Sequence, residues 1–203
     1  MAEEPSYLGT ELDLFARKAK KDSCLVTTET IYKPIASVDQ TDIEFVIPGD
    51  SETYIDLNLK LFITGKLVKK DGTDLAETEY TAGINNLLHS LFSQSSISLN
   101  GTQITQASEH YGIRVYLQSL LTYGNAAAES HLRMAYWELD EGDVKAGDCS
   151  KPAELSNTGI CVRWNHVKKG QEVQMYGHLH ADICNVSQLL ITGVKMQNKL
   201  TKA

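Results

Sequence analysis

The stretch YIDLNLKLFITGKLV, residues 54–68, decides the fold class. Apolar and polar side chains alternate along it, and a period of two is typical of a β-strand that is buried on one face. The apolar set is Ile55, Leu57, Leu59, Leu61, Ile63 and Leu67, and the polar set is Asp56, Asn58, Lys60, Thr64 and Lys66. We therefore predict one long, half-buried strand that contributes Leu57, Leu59, Leu61 and Ile63 to a core.

Further strands are predicted on both sides of this stretch. Residues 43–47 alternate in the same way, and Pro48-Gly49-Asp50 supplies turn chemistry, which predicts that the two runs are antiparallel neighbours. Asn100-Gly101 accepts positive φ at both centres of a type I′ turn and predicts a tight hairpin between residues 95–99 and 102–106. The other strand candidates are residues 26–33, 159–167, 171–184 and 189–199.

Helical periodicity appears in an insertion at about residues 84–136. Two apolar stripes have the spacing i, i+3, i+4, i+7, i+8: Ile84, Leu87, Leu88, Leu91 and Phe92, then Ile113, Tyr116, Leu117, Leu120 and Leu121. Gly124 offers a left-handed C-terminal cap, and Asn125 is positioned to cap a weaker helix over residues 126–136.

About eight short strands and one helical insertion predict the all-β class, as an antiparallel eight-stranded jelly-roll sandwich. Strand counting alone does not separate a jelly roll from other Greek-key arrangements. With 203 residues, 42% of them hydrophobic, the chain is long enough for one core, so we expect an N-terminal arm at residues 1–25 and a single domain at residues 26–203.

Composition argues against several functional classes. A net charge of -7 disfavours a surface devoted to nucleic acid. The start, MAEEPSYLGTELDLF, has acids where a secretory signal has a basic region, and no stretch is apolar enough to span a bilayer, so we expect an intracellular chain with no membrane partner. We expect all four cysteines to be free thiols: Cys24, Cys149, Cys161 and Cys184.

The best metal candidate is His178, His180, Asp182 and Cys184, at successive even positions of one predicted strand. The opposite face is the natural core side, so we expect these side chains to point outward or towards another subunit. In addition, no His or Glu follows Cys184 to complete a set of metal ligands. A nucleophilic pair of Cys161 and His166 lacks a group that would orient the imidazole. We assign no catalytic, cofactor-binding or metal residue and expect no enzyme.

Three surface features remain. Arg17, Lys18, Lys20 and Lys21 form a basic cluster on the N-terminal arm, which fits a solvated tail, a weak contact with nucleic acid or a nuclear-import signal. Asn100-Gly101-Thr102 and Asn185-Val186-Ser187 match glycosylation acceptors but are interpreted as turns. Residues 140–158, rich in Gly, Asp, Ser and Asn, predict an exposed loop.

Several segments, in order along nearly the whole chain, resemble the double jelly-roll major capsid proteins of adintoviruses, Polinton (Maverick) elements and their relatives. The segments are ELDLF (11–15), IEFVIPG (43–49), YIDL (54–57), NNLLHSLFSQ (85–94), LNG (99–101), YL (116–117), LL (120–121), YG (123–124), GHLHAD (177–182) and LLITGV (189–194). The resemblance covers the N-terminal jelly roll only, where family members carry two.

The resemblance implies a structural coat subunit with upright jelly-roll axes, three chains of which form a pseudo-hexameric capsomer of a virion. The chain is then a truncated gene, a relic in a host genome or a single-domain form that associates with itself or a second chain. The alternative is a host-domesticated binding module that does not assemble and recognises protein or glycan through residues 140–158 and neighbouring loops. A third hypothesis, a metal-dependent enzyme, would use His178 and His180.

Overall fold

Antiparallel β-sheet is the main regular structure, with few helices, as expected for the all-β class. The structure, a computed structural model, describes residues 26–105, 109–141, 149, 157–186 and 188–203. Contacts divide the chain into two units, residues 1–31 and 32–203. Of the first unit, residues 26–31 are described; they are exposed and lack regular secondary structure.

The strands of the described part belong to three sheets. They are β1 (Asp42–Ile47), β2 (Ile55–Asp56), β3 (Lys60–Lys66), β4 (Phe92–Leu99), β5 (Thr102–Gln103), β6 (Glu172–His178), β7 (Leu189–Leu190) and β8 (Met196–Lys202). One sheet has the order β1-β8-β4-β5, and the other two are β2-β7 and β3-β6. The pairing is therefore nested: β1 pairs with β8, β2 with β7, and β3 with β6.

The helices are short. They are α1 (Leu87–Ser90), α2 (Tyr111–Thr122), α3 (Asn125–Ala128) and α4 (Thr158–Val167), with 3-10 turns at His131–Ala135, Lys168–Gly170 and Asp182–Asn185. In the part of the chain that the structure describes, none of them has the length and apolarity needed to cross a membrane.

The alternation predicted for residues 54–68 is confirmed, but the stretch is not one strand. Leu57 and Leu61 are buried, Leu59 and Ile63 are partly buried against the same core, and the intervening polar side chains are exposed. Between β2 and β3, the N–H of Leu59 donates to the carbonyl of Leu57 (2.8 Å), and the N–H of Asn58 to Asp56 Oδ1 (3.1 Å). These local bonds replace ladder bonds and interrupt the strand.

One main core lies between the sheets and the helices α1 and α2. The four-stranded sheet contributes Ile97, Met196 and Leu200 with no exposed surface, and the β3-β6 ribbon contributes Leu61 and Met175. Because residues from both sheets share one cluster, their inward faces pack together and remove apolar surface from water.

The predicted Asn100-Gly101 hairpin is confirmed. Asn100 has φ 48° and Gly101 has φ 82°, and Leu99 pairs with Thr102 across the turn. Asn100 Oδ1 also accepts a hydrogen bond from the N–H of Lys195 (2.9 Å). The second strand is shorter than predicted, and residue 106 lies outside the described residues.

The prediction that residues 43–47 and 54–68 are antiparallel neighbours is wrong. β1 pairs with β8 and β2 with β7, because the intervening segment carries the chain from one sheet to another. Gly49 makes this crossing: a Cβ there would lie 2.6 Å from the carbonyl carbon of Gly193. The N–H of Gly193 donates to the carbonyl of Asp50 (2.6 Å), so a backbone hydrogen bond also holds the segment at Gly49 against the segment at Gly193.

Gly49→Ala is expected to lower the free energy of unfolding by about 2–3 kcal/mol, because the added methyl group meets backbone atoms that have no rotamer to escape to. Urea unfolding followed by circular dichroism measures the loss. Gly65→Ala is the matched control, since a Cβ at Gly65 meets nothing within 4 Å. Equal stability of the two variants would contradict the close approach of the two segments.

Two predicted strands are wrong. Residues 26–33 have no regular secondary structure, because β-propensity gives a strand only where a neighbour pairs with it. Residues 159–167 belong to helix α4: Ile160, Cys161, Trp164 and Val167 are buried at helical spacing, and Asn157 Oδ1 caps the N–H groups of Gly159 (3.0 Å) and Ile160 (3.4 Å). Helices thus extend beyond the predicted insertion at 84–136.

The helix predictions hold best for α2. The first stripe is helical only over Leu87–Ser90, and Phe92 already begins β4. Gly124 has φ -89° and is not a left-handed cap, and the predicted third helix is divided into α3 and the His131–Ala135 turn. Asn125 is the first residue of α3 and makes no capping bond.

Candidate functional site

The four predicted metal ligands do not share one face. His178 ends β6 on its exposed side, and the chain then leaves the strand, so that Leu179 and His180 are both buried. Asp182 and Cys184 lie in the next 3-10 turn, where Asp182 pairs with Arg114. Over the described ranges, no three His, Cys, Asp or Glu side chains lie close enough together to hold a metal ion.

His180 instead joins a buried cluster with His89 and Tyr111. His89 Nδ1 lies 3.1 Å from the Tyr111 hydroxyl, which also accepts the backbone N–H of His180 (3.4 Å). The two imidazole rings meet edge to face with centroids 5.0 Å apart. The imidazole tautomer of His89 decides whether its Nδ1 donates to the Tyr111 hydroxyl or accepts from it.

Burial controls the protonation of this cluster. Desolvation, together with smaller contributions from neighbouring positive charge, lowers the pKa of His89 to about 3 and the pKa of His180 to about 4. Burial also raises the pKa of the Tyr111 hydroxyl. At neutral pH the three side chains are therefore uncharged, and their hydrogen bonds join α1, α2 and the segment that follows β6.

The prediction of four free thiols is wrong for two of them. Cys149 and Cys161 form a disulfide across 12 residues, and both are buried beside Trp164. Cys161 Sγ is consequently not available as a nucleophile, and the Cys161–His166 pair is excluded. Cys184 is a free, partly buried thiol, and burial raises its pKa to about 11. Cys24 lies outside the described residues.

Reduction of the disulfide is expected to lower the free energy of unfolding by about 2–3 kcal/mol, because it releases the constraint on the unfolded chain. Urea unfolding with and without dithiothreitol measures the effect. The double substitution Cys149→Ser/Cys161→Ser removes the sensitivity to reductant, whereas Cys184→Ser keeps it. A wild-type curve that reductant leaves unchanged would contradict the pairing.

The remaining predicted features are only partly described. The basic cluster at residues 17–21 lies outside the described residues, as does most of the predicted loop at 140–158. Of that loop, Cys149 is buried, Asn157 caps α4 and Thr158 begins it. Asn100 lies in the hairpin turn, and Asn185 is exposed at the end of a 3-10 turn.

The most distinctive surface is the outer face of α2. The helix buries Tyr111, Val115 and Ser119. Its predicted apolar stripe points largely the other way, with Ile113, Leu117, Leu120 and Leu121 exposed by 63%, 50%, 53% and 85%. Tyr116 is the member that packs inward, against Trp137 with ring centroids 5.1 Å apart. The four exposed side chains are hereafter the α2 apolar face.

Two of the buried polar groups that sequence reasoning missed are His89 and Arg163. Each follows apolar residues directly, and no local spacing distinguishes such a polar residue from an exposed one. Comparison of the chain with protein families, curated proteins and solved structures finds no match.

Proposed function

We propose that this chain is a structural, non-enzymatic domain of the capsid-protein type, a jelly roll that acts by associating with other copies of itself. The strand pairing supports the topology. A jelly roll arises when one long antiparallel hairpin is rolled up, so that the first strand pairs with the last and each later strand pairs further inward. The nested pairs β1-β8, β2-β7 and β3-β6 follow this order, and β4 adds to the free side of β8.

The α2 apolar face is the observation that carries self-association. From the exposed fractions of its four side chains, it presents roughly 400–500 Å² of apolar surface, as much as the largest patch on a typical monomer. Such a face is costly to keep in water, and the largest apolar patch of a monomer is often a functional surface.

The chemistry of the face favours a partner with an apolar surface. The only charged residue of α2 is Arg114, which pairs with Asp182, so the face offers shape and apolar area rather than charge. A copy of this chain carries such a surface itself, and cyclic symmetry repeats the same contact between every pair of neighbouring copies. The area is about half of the ~800 Å² that each partner buries in a stable interface, so neighbouring residues contribute the rest.

Sedimentation velocity of purified variants tests the proposal. Leu117→Lys/Leu121→Lys places two charges in the α2 apolar face and is expected to shift the sedimenting species from oligomer to monomer. Ile191→Lys is the matched control, because Ile191 is an equally exposed apolar side chain (65%) outside α2, and it should leave the oligomer intact.

Two outcomes contradict the proposal. A wild-type chain that sediments as a monomer at every concentration would favour the alternative, a jelly-roll module that binds other molecules without assembling. Oligomers that persist in the α2 variant would show that another surface mediates assembly.

A further inference from the structure

A polar cavity of about 200 Å³ opens beside the first turn of α2. Six of the residues that line it are Ser95, Thr105, Tyr111, Arg114, His180 and Asp182. Because α2 is a twelve-residue helix without a side-chain N-cap among the described residues, its dipole favours negative charge at this end.

Two lining residues carry buried polar atoms that lack a partner. Ser95 and His180 are exposed by only 9% and 8%, and Ser95 Oγ and His180 Nδ1 have no hydrogen-bond partner in the described part of the chain. A buried polar group left unpaired is costly, so a native structure that keeps two of them at one cavity indicates that something else supplies the bonds.

Two of the other polar groups at the cavity, Thr105 and Arg114, can donate hydrogen bonds. Thr105 Oγ1 accepts the N–H of Ile97 (2.7 Å), so its hydroxyl proton is free to point elsewhere. Arg114 donates to Asp182, but a guanidinium has five N–H groups and one carboxylate does not use them all. Asp182 is 79% exposed and therefore remains solvated at the edge of the site.

We propose that this cavity binds a small oxyanion, either a phosphate or a carboxylate. Arg114 supplies the charge, and the hydroxyl groups of Ser95 and Thr105 donate hydrogen bonds beside the start of α2. The volume admits an ion or a small molecule rather than a polymer chain. Asp182 competes with the ligand for Arg114. An anion that binds Arg114 more tightly than the Asp182 carboxylate therefore displaces that carboxylate.

Isothermal titration calorimetry of the full chain with inorganic phosphate and, separately, with acetate tests the site, with sodium chloride at matched ionic strength. One of the two is expected to bind saturably at one site. Arg114→Gln and Ser95→Ala should each weaken binding roughly tenfold or more, because each removes a donor to a charged ligand. Asp182→Asn should tighten it, because Arg114 is then free. Lys195→Gln, a change to an exposed cation elsewhere, is the control.

The anion with the higher affinity, phosphate or acetate, identifies whether the site takes a phosphate or a carboxylate. Ser95→Ala removes only an unpaired hydroxyl, so that variant reports on binding even if Arg114→Gln fails to fold. Absence of saturable heat with both anions would overturn the proposal. So would binding that neither Ser95→Ala nor Asp182→Asn changes.

Discussion

Acid is expected to destabilise this protein by on the order of 5 kcal/mol between pH 6.5 and pH 3, through His89 and His180. Both histidines have folded-state pKa values, about 3 and about 4, below the unfolded value of 6.5. The unfolded chain therefore binds more protons in this window. The stability is fully present above pH 6.5 and is lost as the pH falls through the folded pKa values.

Urea unfolding at half-unit steps from pH 7.5 to pH 3 measures this dependence. His89→Gln keeps a side chain that can both donate to and accept from the Tyr111 hydroxyl but cannot titrate, so its stability should fall less steeply below pH 6.5, whatever its stability at neutral pH. His110→Gln changes an exposed histidine and should keep the wild-type slope. Identical slopes for all three proteins would show that His89 is not buried as a neutral group.

Arg163→Met is expected to cost about 3–5 kcal/mol of unfolding free energy, the range for breaking a buried ion pair. The Arg163 side chain is only 3% exposed and pairs with Asp140 (Nη2 to Oδ1, 2.9 Å). It also donates to the carbonyls of Gly83 (3.1 Å) and Glu138 (3.3 Å). Methionine fills the volume but leaves these acceptors without their donor.

Arg133→Met is the matched control for this change. Arg133 pairs with Glu138 at 3.3 Å; the Glu138 side chain is 13% exposed, but that of Arg133 is 54% exposed, so solvent screens this pair and its loss should cost less than the loss of Arg163. The two variants should therefore differ clearly in their urea midpoints. If Arg163→Met is no less stable than Arg133→Met, the buried arginine does not join α4 to the segments around Gly83 and Glu138.

The sequence reveals those features of the fold that depend on neighbouring residues. The alternation in residues 54–68 predicts which side chains are buried, because strand periodicity is a local property. Asn100-Gly101 predicts its hairpin, because positive φ at two successive residues restricts the residue types there. The spacing from Ile113 to Leu121 correctly predicts a helix.

Other features depend on contacts between distant residues and were not predictable. The segment 159–167 is short and rich in apolar residues. A strand and a helix are therefore hard to distinguish there until it is known which of its side chains are buried. The partner of β1 is β8, which begins 149 residues after β1 ends (47 to 196), and the Cys149–Cys161 pairing has no spacing signature. The spacing in α2 identifies the apolar residues, but only the tertiary structure shows that four of them face outward.

Light scattering of the wild-type protein, coupled to size-exclusion chromatography over a hundredfold range of concentration, tests the central claim most directly. The chain mass is 22.5 kDa. Self-association through apolar surface is expected to give a species of at least three chains whose share rises with concentration. A mass of one chain throughout the range would contradict the proposed role as an assembling coat domain.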